Sequence, residues 1–122
     1  MSEREDRVRL QHMLDATRQA IAFTQGRQRK DLDTDLQLTL ALTRLVEIVG
    51  EAAKNVSDDE RQRHPDVRWR AIAGTRDRLV HAYFDVDLDI VWTTVSDDLP
   101  ALSQALDEAL ADAWRWQQTL NT

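Results

Sequence analysis

The sequence predicts an all-α fold, with four long helices and short connections packed as an antiparallel bundle. Three observations predict it. Only three glycines and two prolines occur in 122 residues, too few punctuators for a chain of many short strands and turns. Apolar residues recur at i, i+3, i+4 and i+7, the spacing of one buried helical stripe. Serines and aspartates stand where helix starts need an acceptor for their unpaired N–H groups.

Helix 1 is expected to start at Ser2, which with Glu5 has the S-x-x-E spacing of a capping box. Its stripe is Leu10, Met13, Leu14, Thr17, Ile21 and Thr24, and it fades near Gly26. Helix 2 begins among Asp31, Asp33 and Asp35, acids that suit the positive end of a helix dipole. Leu38, Leu42, Leu45, Val46, Val49, Ala53 and Val56 form its stripe. Gly50 lies inside that stripe at a cost of about 1 kcal/mol relative to alanine, and close packing of a neighbouring helix is the simplest reason for it. Ser57 and Glu60 repeat the capping-box spacing and predict a short helical turn up to His64, which is expected to be exposed. After Pro65, Asp66 is placed to cap helix 3, carrying Val67, Ile72, Leu79 and Val80. Asp85-Val86-Asp87 reads as a break with a new cap. Helix 4 carries Leu88, Val91, Trp92 and Val95. Pro100 kinks or restarts it, with Asp98 positioned as the cap, and Leu102, Leu106, Ala109, Leu110 and Ala113 continue the stripe.

The length fits one domain over residues 1–122. Twenty-two acidic against sixteen basic residues give a net charge of −6, and the pI is near 5.0. Taken whole, such a chain does not read as a duplex-coating protein. With no cysteine, disulfides, thiolate metal sites and a cysteine nucleophile are excluded. No apolar run approaches the ~20 residues of a membrane span, and MSEREDRVRL lacks the apolar core of a signal peptide. A cytoplasmic location is therefore expected. Trp114 and Trp116, two apart on a helix, cannot both face one core, which favours a homodimer.

Local charge departs from the overall balance. Between Arg61 and Arg78 six arginines face two aspartates, a local +4 with no lysine. A solvated helical face would account for this, but arginine is also the residue suited to forked phosphate contacts. Among the histidines, His12 flanks the stripe of helix 1 and is expected to be structural or exposed. HExxH and CxxC spacings are absent, as are the P-loop and GxGxxG patterns; no metal site and no cofactor are expected.

His81 has informative neighbours. On a regular helix Asp77 and His81 are i and i+4, so the carboxylate could fix the imidazole's tautomer. Arg76 and His81 are five apart, roughly 140° from each other at 3.6 residues per turn. They can meet on one phosphate only if the arginine reaches round or the helix loosens near His81. If they converge, the chemistry is that of a metal-free ribonuclease. His81 would act as general base on the ribose 2′-OH or general acid on the leaving 5′-oxygen, and Arg76 would stabilise charge on phosphorus. The plainer reading of His81 is a polar residue favoured by the dipole at a helix end.

Arg76-x4-His81-x-Tyr83 resembles the signature of HepT-type HEPN proteins, toxins of bacterial and archaeal toxin–antitoxin pairs. RLVEIVGEAAK (44–54) and HPDVRWRAIAGTRDRLVHAYFDVDLDIVW (64–92), followed by Leu99-Pro100, are similar to the same family, so the resemblance covers most of residues 44–102. It implies a four- to five-helix bundle forming a homodimer, with the two RxxxxH segments near the dimer cleft. It also implies metal-independent endoribonuclease activity, with Arg76 and His81 as the catalytic pair. The residue after the arginine is polar in the family, often asparagine; here Asp77 keeps a side chain able to bond His81 and adds a negative charge. Tyr83 maps onto the tyrosine that a partner MntA-type minimal nucleotidyltransferase antitoxin adenylylates. Single-stranded RNA would be the substrate, with Arg70 and Arg78 as phosphate contacts. The rival reading, of a different class, is a non-catalytic helical subunit that binds substrate for, or regulates, a nucleotidyltransferase.

Overall fold

A computed structural model describes residues 3–82 and 85–121. The fold is an all-α bundle with one small β ribbon. Helix α1 spans Glu3–Phe23, a one-turn α2 Asp31–Thr34, α3 Leu36–Lys54 and α4 Asp58–Arg63. Two short helices follow, α5 over Trp69–Ala73 and α6 over Thr75–Leu79. Strands β1 (Val80–Ala82) and β2 (Asp85–Val86) pair antiparallel with an irregular register. Helix α7 covers Leu88–Thr93, a π-helical turn Thr94–Asp98, and α8 Leu99–Asn121.

The long helices form where the periodicity places them. Leu10, Met13, Leu42, Val46, Leu102 and Leu106 all lie in one core, each at most 4% exposed. Helix α3 packs on α1, and α8 packs on α1 as well. α1 and α3 run antiparallel, because Asp6 near the start of α1 meets Ser57 just beyond the end of α3. The Asp6 carboxylate accepts from the Ser57 N–H at 2.9 Å and from its hydroxyl at 2.5 Å. Asp6 is only 2% exposed, so a carboxylate that would be costly to bury alone is satisfied at both oxygens.

Side-chain caps start α3, α4 and α7, whereas α2 and α5 have none. The Ser57 hydroxyl accepts from the Glu60 N–H and starts α4, as expected from the capping-box spacing. Asp87 does the same for α7, accepting from the N–H groups of Asp89 and Ile90 at 3.0 and 3.1 Å. Asp66 does not cap a helix: α5 begins at Trp69, after Arg68 and with no side-chain cap. A tight turn instead carries the chain from His64 to Trp69, held by Val67 N–H to the His64 carbonyl at 3.2 Å. The expected helix 3 is also broken, at Gly74, and ends at Leu79 rather than reaching Val80. Ser2, expected as the first cap, lies outside the described residues.

Pro100 is accommodated without a break. A proline inside a helix lacks the N–H and its ring clashes with the carbonyl four residues back. The turn Thr94–Asp98 absorbs the mismatch by widening: the Leu99 N–H bonds the Thr94 carbonyl, five residues back. α8 then begins at once, so Asp98 sits in the wide turn rather than capping a new start.

At the other end of the bundle, Asp35 starts α3. One carboxylate oxygen accepts from the Leu38 N–H at 3.0 Å, and the other takes the Arg27 guanidinium at 2.5 Å. The Leu38 N–H first, and Arg27 second, hold this carboxyl below its ordinary value of 3.8. A depressed carboxyl contributes stability that is present above its unfolded value and lost as pH falls through the folded one. Urea unfolding followed from about pH 5 downward should therefore show a loss of stability below about 3.8 that is smaller in Asp35→Asn than in the wild type. An unchanged acid limb in Asp35→Asn would remove Asp35 from this role.

Candidate active site

The residues singled out for chemistry fall on three consecutive short elements. Arg70 is on α5, Arg76, Asp77 and Arg78 are on α6, and His81 is on β1. Gly74 makes the first joint. Its N–H bonds the Arg70 carbonyl at 3.0 Å, and its own carbonyl receives the Asp77 N–H at 3.1 Å. A Cβ built at Gly74 would stand 3.2 Å from the Arg70 carbonyl oxygen, tighter than nearly all real contacts, which is why a glycine suits the joint.

Helix α6 is a single turn, and two of its residues hold it to the core. Leu79 is fully buried and Thr75 is 3% exposed. The Thr75 hydroxyl donates to the Ala71 carbonyl at 3.0 Å. Arg78 clasps the same junction: its Nη2 donates to the Ala71 carbonyl at 3.0 Å and to the Thr75 hydroxyl at 3.1 Å. With Thr75 and Leu79 turned inward, Asp77 and Arg78 are exposed.

The helix stops between the two residues of interest. From Val80 the chain is extended, pairing with Val86, and the Asp87 N–H closes the loop on the Leu79 carbonyl at 2.7 Å. The continuous-helix geometry that would separate Arg76 and His81 by roughly 140° therefore does not apply. For the same reason Asp77 and His81 are not an i, i+4 helical pair, and the expectation built on that shared face loses its premise. The side chains of Arg76 and His81, and Tyr83 altogether, lie outside the described residues, as do the side chains of Trp114 and Trp116.

The arginine segment is partly spent on structure. Arg61 caps the end of α3, donating from Nε to the Val56 carbonyl and from Nη2 to those of Ala53 and Lys54. Arg63 pairs with Glu60 at 2.9 Å. Arg68 and Arg70 are exposed. His64, expected to be exposed, is instead held. Its Nε2 lies 3.1 Å from the Glu60 carboxylate, and its side chain is 12% exposed. His12 is exposed, as expected.

Beside α6 a groove of about 270 Å³ opens between α3, α5 and the π turn with α8. Thr75 and Arg78 form part of its wall, so it adjoins the RxxxxH segment directly. Sequence reading missed the groove, because its walls come from residues about 50 apart. It also missed Thr75, which carries no helical stripe signal. Leu79 was visible as a core position.

The family described as Ribonuclease HepT-like matches residues 13–109. The chain is similar to a probable ribonuclease HepT of Thermococcus cleftensis, at 42% identity over 80 residues, covering 66% of this chain and 73% of that one. A candidate RNase of Caldanaerobacter subterraneus is 39% identical over 101 residues, covering 83% and 90%. Another of Methanocaldococcus jannaschii is 30% identical over 112 residues, covering 92% and 93%. No solved structure matches.

The Arg78 clasp has a direct consequence. Arg78→Ala removes two hydrogen bonds at the α5–α6 junction and should lower stability by about 1 kcal/mol, read as a fall in the urea midpoint with unchanged slope. A midpoint equal to the wild type would show that the clasp contributes nothing and that Arg78 is a plain surface cation.

Proposed function

The chain belongs to the ribonuclease HepT-like family and is an enzyme of the endoribonuclease class; from that premise we propose that it is the toxin of a toxin–antitoxin pair, cutting RNA with Arg76 and His81. The observation that carries this reading is the family match over residues 13–109, which spans Arg76, His81 and Tyr83 together. The end of α6 at Leu79 supports it, since it frees the pair from the angle of a straight helix.

The reaction is a phosphoryl transfer that needs no metal in this scheme. The ribose 2′-oxygen attacks the adjacent phosphorus as its proton leaves, and the bond from phosphorus to the 5′-oxygen breaks as that oxygen gains a proton. His81 serves one of these proton transfers, worth typically 10²–10⁴-fold in rate. The Arg76 guanidinium faces the charge that builds on the phosphoryl oxygens in the transition state, where a forked cation is most effective. Asp77 adds a carboxylate on the exposed side of α6. Arg70 and Arg78 carry the flanking phosphates, Arg78 while keeping its clasp. A homodimer would bring two RxxxxH segments to one cleft.

The antitoxin partner in this reading is an MntA-type minimal nucleotidyltransferase. It moves AMP from ATP to the Tyr83 hydroxyl, forming a tyrosine–phosphate bond and releasing pyrophosphate. The product carries bulk and negative charge two residues from His81, where a substrate phosphate would sit. The toxin is silenced without being unfolded.

Two experiments test these roles. Expressed without a partner, the wild type should arrest growth and cleave RNA. Arg76→Ala and His81→Ala should each cut cleavage by at least ~100-fold while their circular dichroism is retained. Full toxicity of folded His81→Ala would overturn the catalytic assignment and favour the non-catalytic subunit. After co-expression with an MntA-type nucleotidyltransferase as partner, peptide mass spectrometry should find AMP on Tyr83, and Tyr83→Phe should stay toxic beside its partner. A silenced toxin with unmodified Tyr83 would show occlusion instead.

A further inference from the structure

The groove beside α6 has a chemistry that phosphodiester cleavage does not use. Its floor is apolar, with Val49 from α3, Ile72 from α5 and Leu102 from α8. Its rim is charged in two sectors. Arg68 and Arg78 come from the α5–α6 side, where Asp66 also lies, and Asp97 and Asp98 come from the π turn. The π turn is the one place where α8 and α7 are joined by a widened helix, and it carries both carboxylates to this rim.

About 270 Å³ lies just below the usual range of small-molecule pockets, roughly 300–1,000 Å³. That suits one flat ring system better than a helix. An ionised carboxylate only accepts hydrogen bonds, so Asp97 and Asp98 select a ring edge that donates. The arginines on the rim select an anion attached to that ring. A basic side chain from a protein would use the aspartates alone, whereas a nucleotide, which joins a donating ring edge to an anion, can use both kinds of charge on the rim.

Resting on the ribonuclease reading, we infer that this groove seats one nucleobase of the RNA substrate, with Asp97 and Asp98 accepting from its exocyclic amino group and Arg68 and Arg78 holding the adjoining phosphate. The apolar floor stacks against the ring. Cytosine presents an amino donor at the position where uracil presents a carbonyl acceptor, and carboxylates accept from that amino group. The groove therefore discriminates against uracil, and the enzyme cuts beside an amino-bearing base.

The test measures binding apart from cleavage. Oligocytidylate and oligouridylate of equal length are titrated against His81→Ala by fluorescence anisotropy. The cytidine oligomer should bind about tenfold tighter. Adding Asp97→Asn and Asp98→Asn should bring the two affinities to within about twofold, since an amide can donate to the uracil carbonyl. The amide oxygen at 97 keeps the acceptor that the Ser96 hydroxyl uses at 3.1 Å. Ala101→Trp, placed on the groove wall, should weaken the cytidine oligomer by at least about tenfold. Equal affinities in His81→Ala, no binding of either oligomer, or a preference untouched by the aspartate pair or by Ala101→Trp would each overturn the seat. Should the wild type neither arrest growth nor cleave cellular RNA while the cytidine preference persists, the nuclease reading fails and the seat stands. Cleavage with equal affinities gives the reverse.

Discussion

Asp87 is the constraint on which the RxxxxH segment depends. Its N–H bonds the Leu79 carbonyl at 2.7 Å, and its carboxylate takes the first N–H groups of α7 at 3.0 and 3.1 Å. One residue thus stops α6 and starts α7. Between these two points β1 and β2 pair antiparallel with an irregular register. Without that closure α6 could continue through Val80, and a continuous helix would turn positions 76 and 81 away from each other. Leu79, fully buried, fixes where the helix stops relative to the core. The position of the segment is therefore set by a hydrophobic anchor on one side and a cap on the other, with neither depending on the charged residues between them.

A second set of buried polar contacts does similar work at the two ends of α4. Asp6 binds Ser57 through both its N–H and hydroxyl. Glu60, 7% exposed, is met by Arg63 and His64. The Trp69 indole N–H bonds the His64 carbonyl at 3.0 Å. These groups link the start of α1, the end of α3 and the start of α5. Each buried carboxylate has donors, as the cost of burying a charge demands. The effect is to hold α5, and with it the arginines of the 68–78 segment, in a defined place on the bundle.

How far the sequence revealed this follows from what kind of signal each feature leaves. The stripes of α1, α3 and α8 were readable because burial imposes a 3.6-residue period on apolar positions. The caps at Ser57 and Asp87 were readable because a cap is local. Asp6 was not, since its partner lies 51 residues away and a lone aspartate in a charged N-terminal run looks solvated. His64 was misjudged for a related reason. A histidine before a proline reads as a connector, and the carboxylate that holds its ring, Glu60, lies one turn earlier. The end of α6 at Leu79 was foreseen only as a possibility, because Val80-His81-Ala82 is neither a strong strand nor a poor helix by composition. Tertiary pairing with Val86 decided it. The catalytic assignment came from resemblance, as no spacing rule alone distinguishes R-x4-H from two polar residues on a surface helix.

The structural use of the arginines changes what the local +4 means. Arg61 is committed to three carbonyls and Arg63 to Glu60, while Arg78 holds the α5–α6 junction through Nη2 alone. Carbonyls leave the charge of Arg61 in place but occupy its donors, and Glu60 offsets Arg63, so the run offers a polyanion fewer forked contacts than its count suggests. Each phosphate neutralised on a single strand contributes about 0.7 to the slope of log affinity against log salt. A surface that engages only two or three phosphates therefore has a shallow slope and little hold on long RNA. Around it the chain carries a net −6, which further disfavours a long polyanion. Affinity must then come from contacts other than charge, such as a ring seated against apolar side chains. Specificity for a short exposed RNA element, rather than coating, is the behaviour this distribution of charge permits.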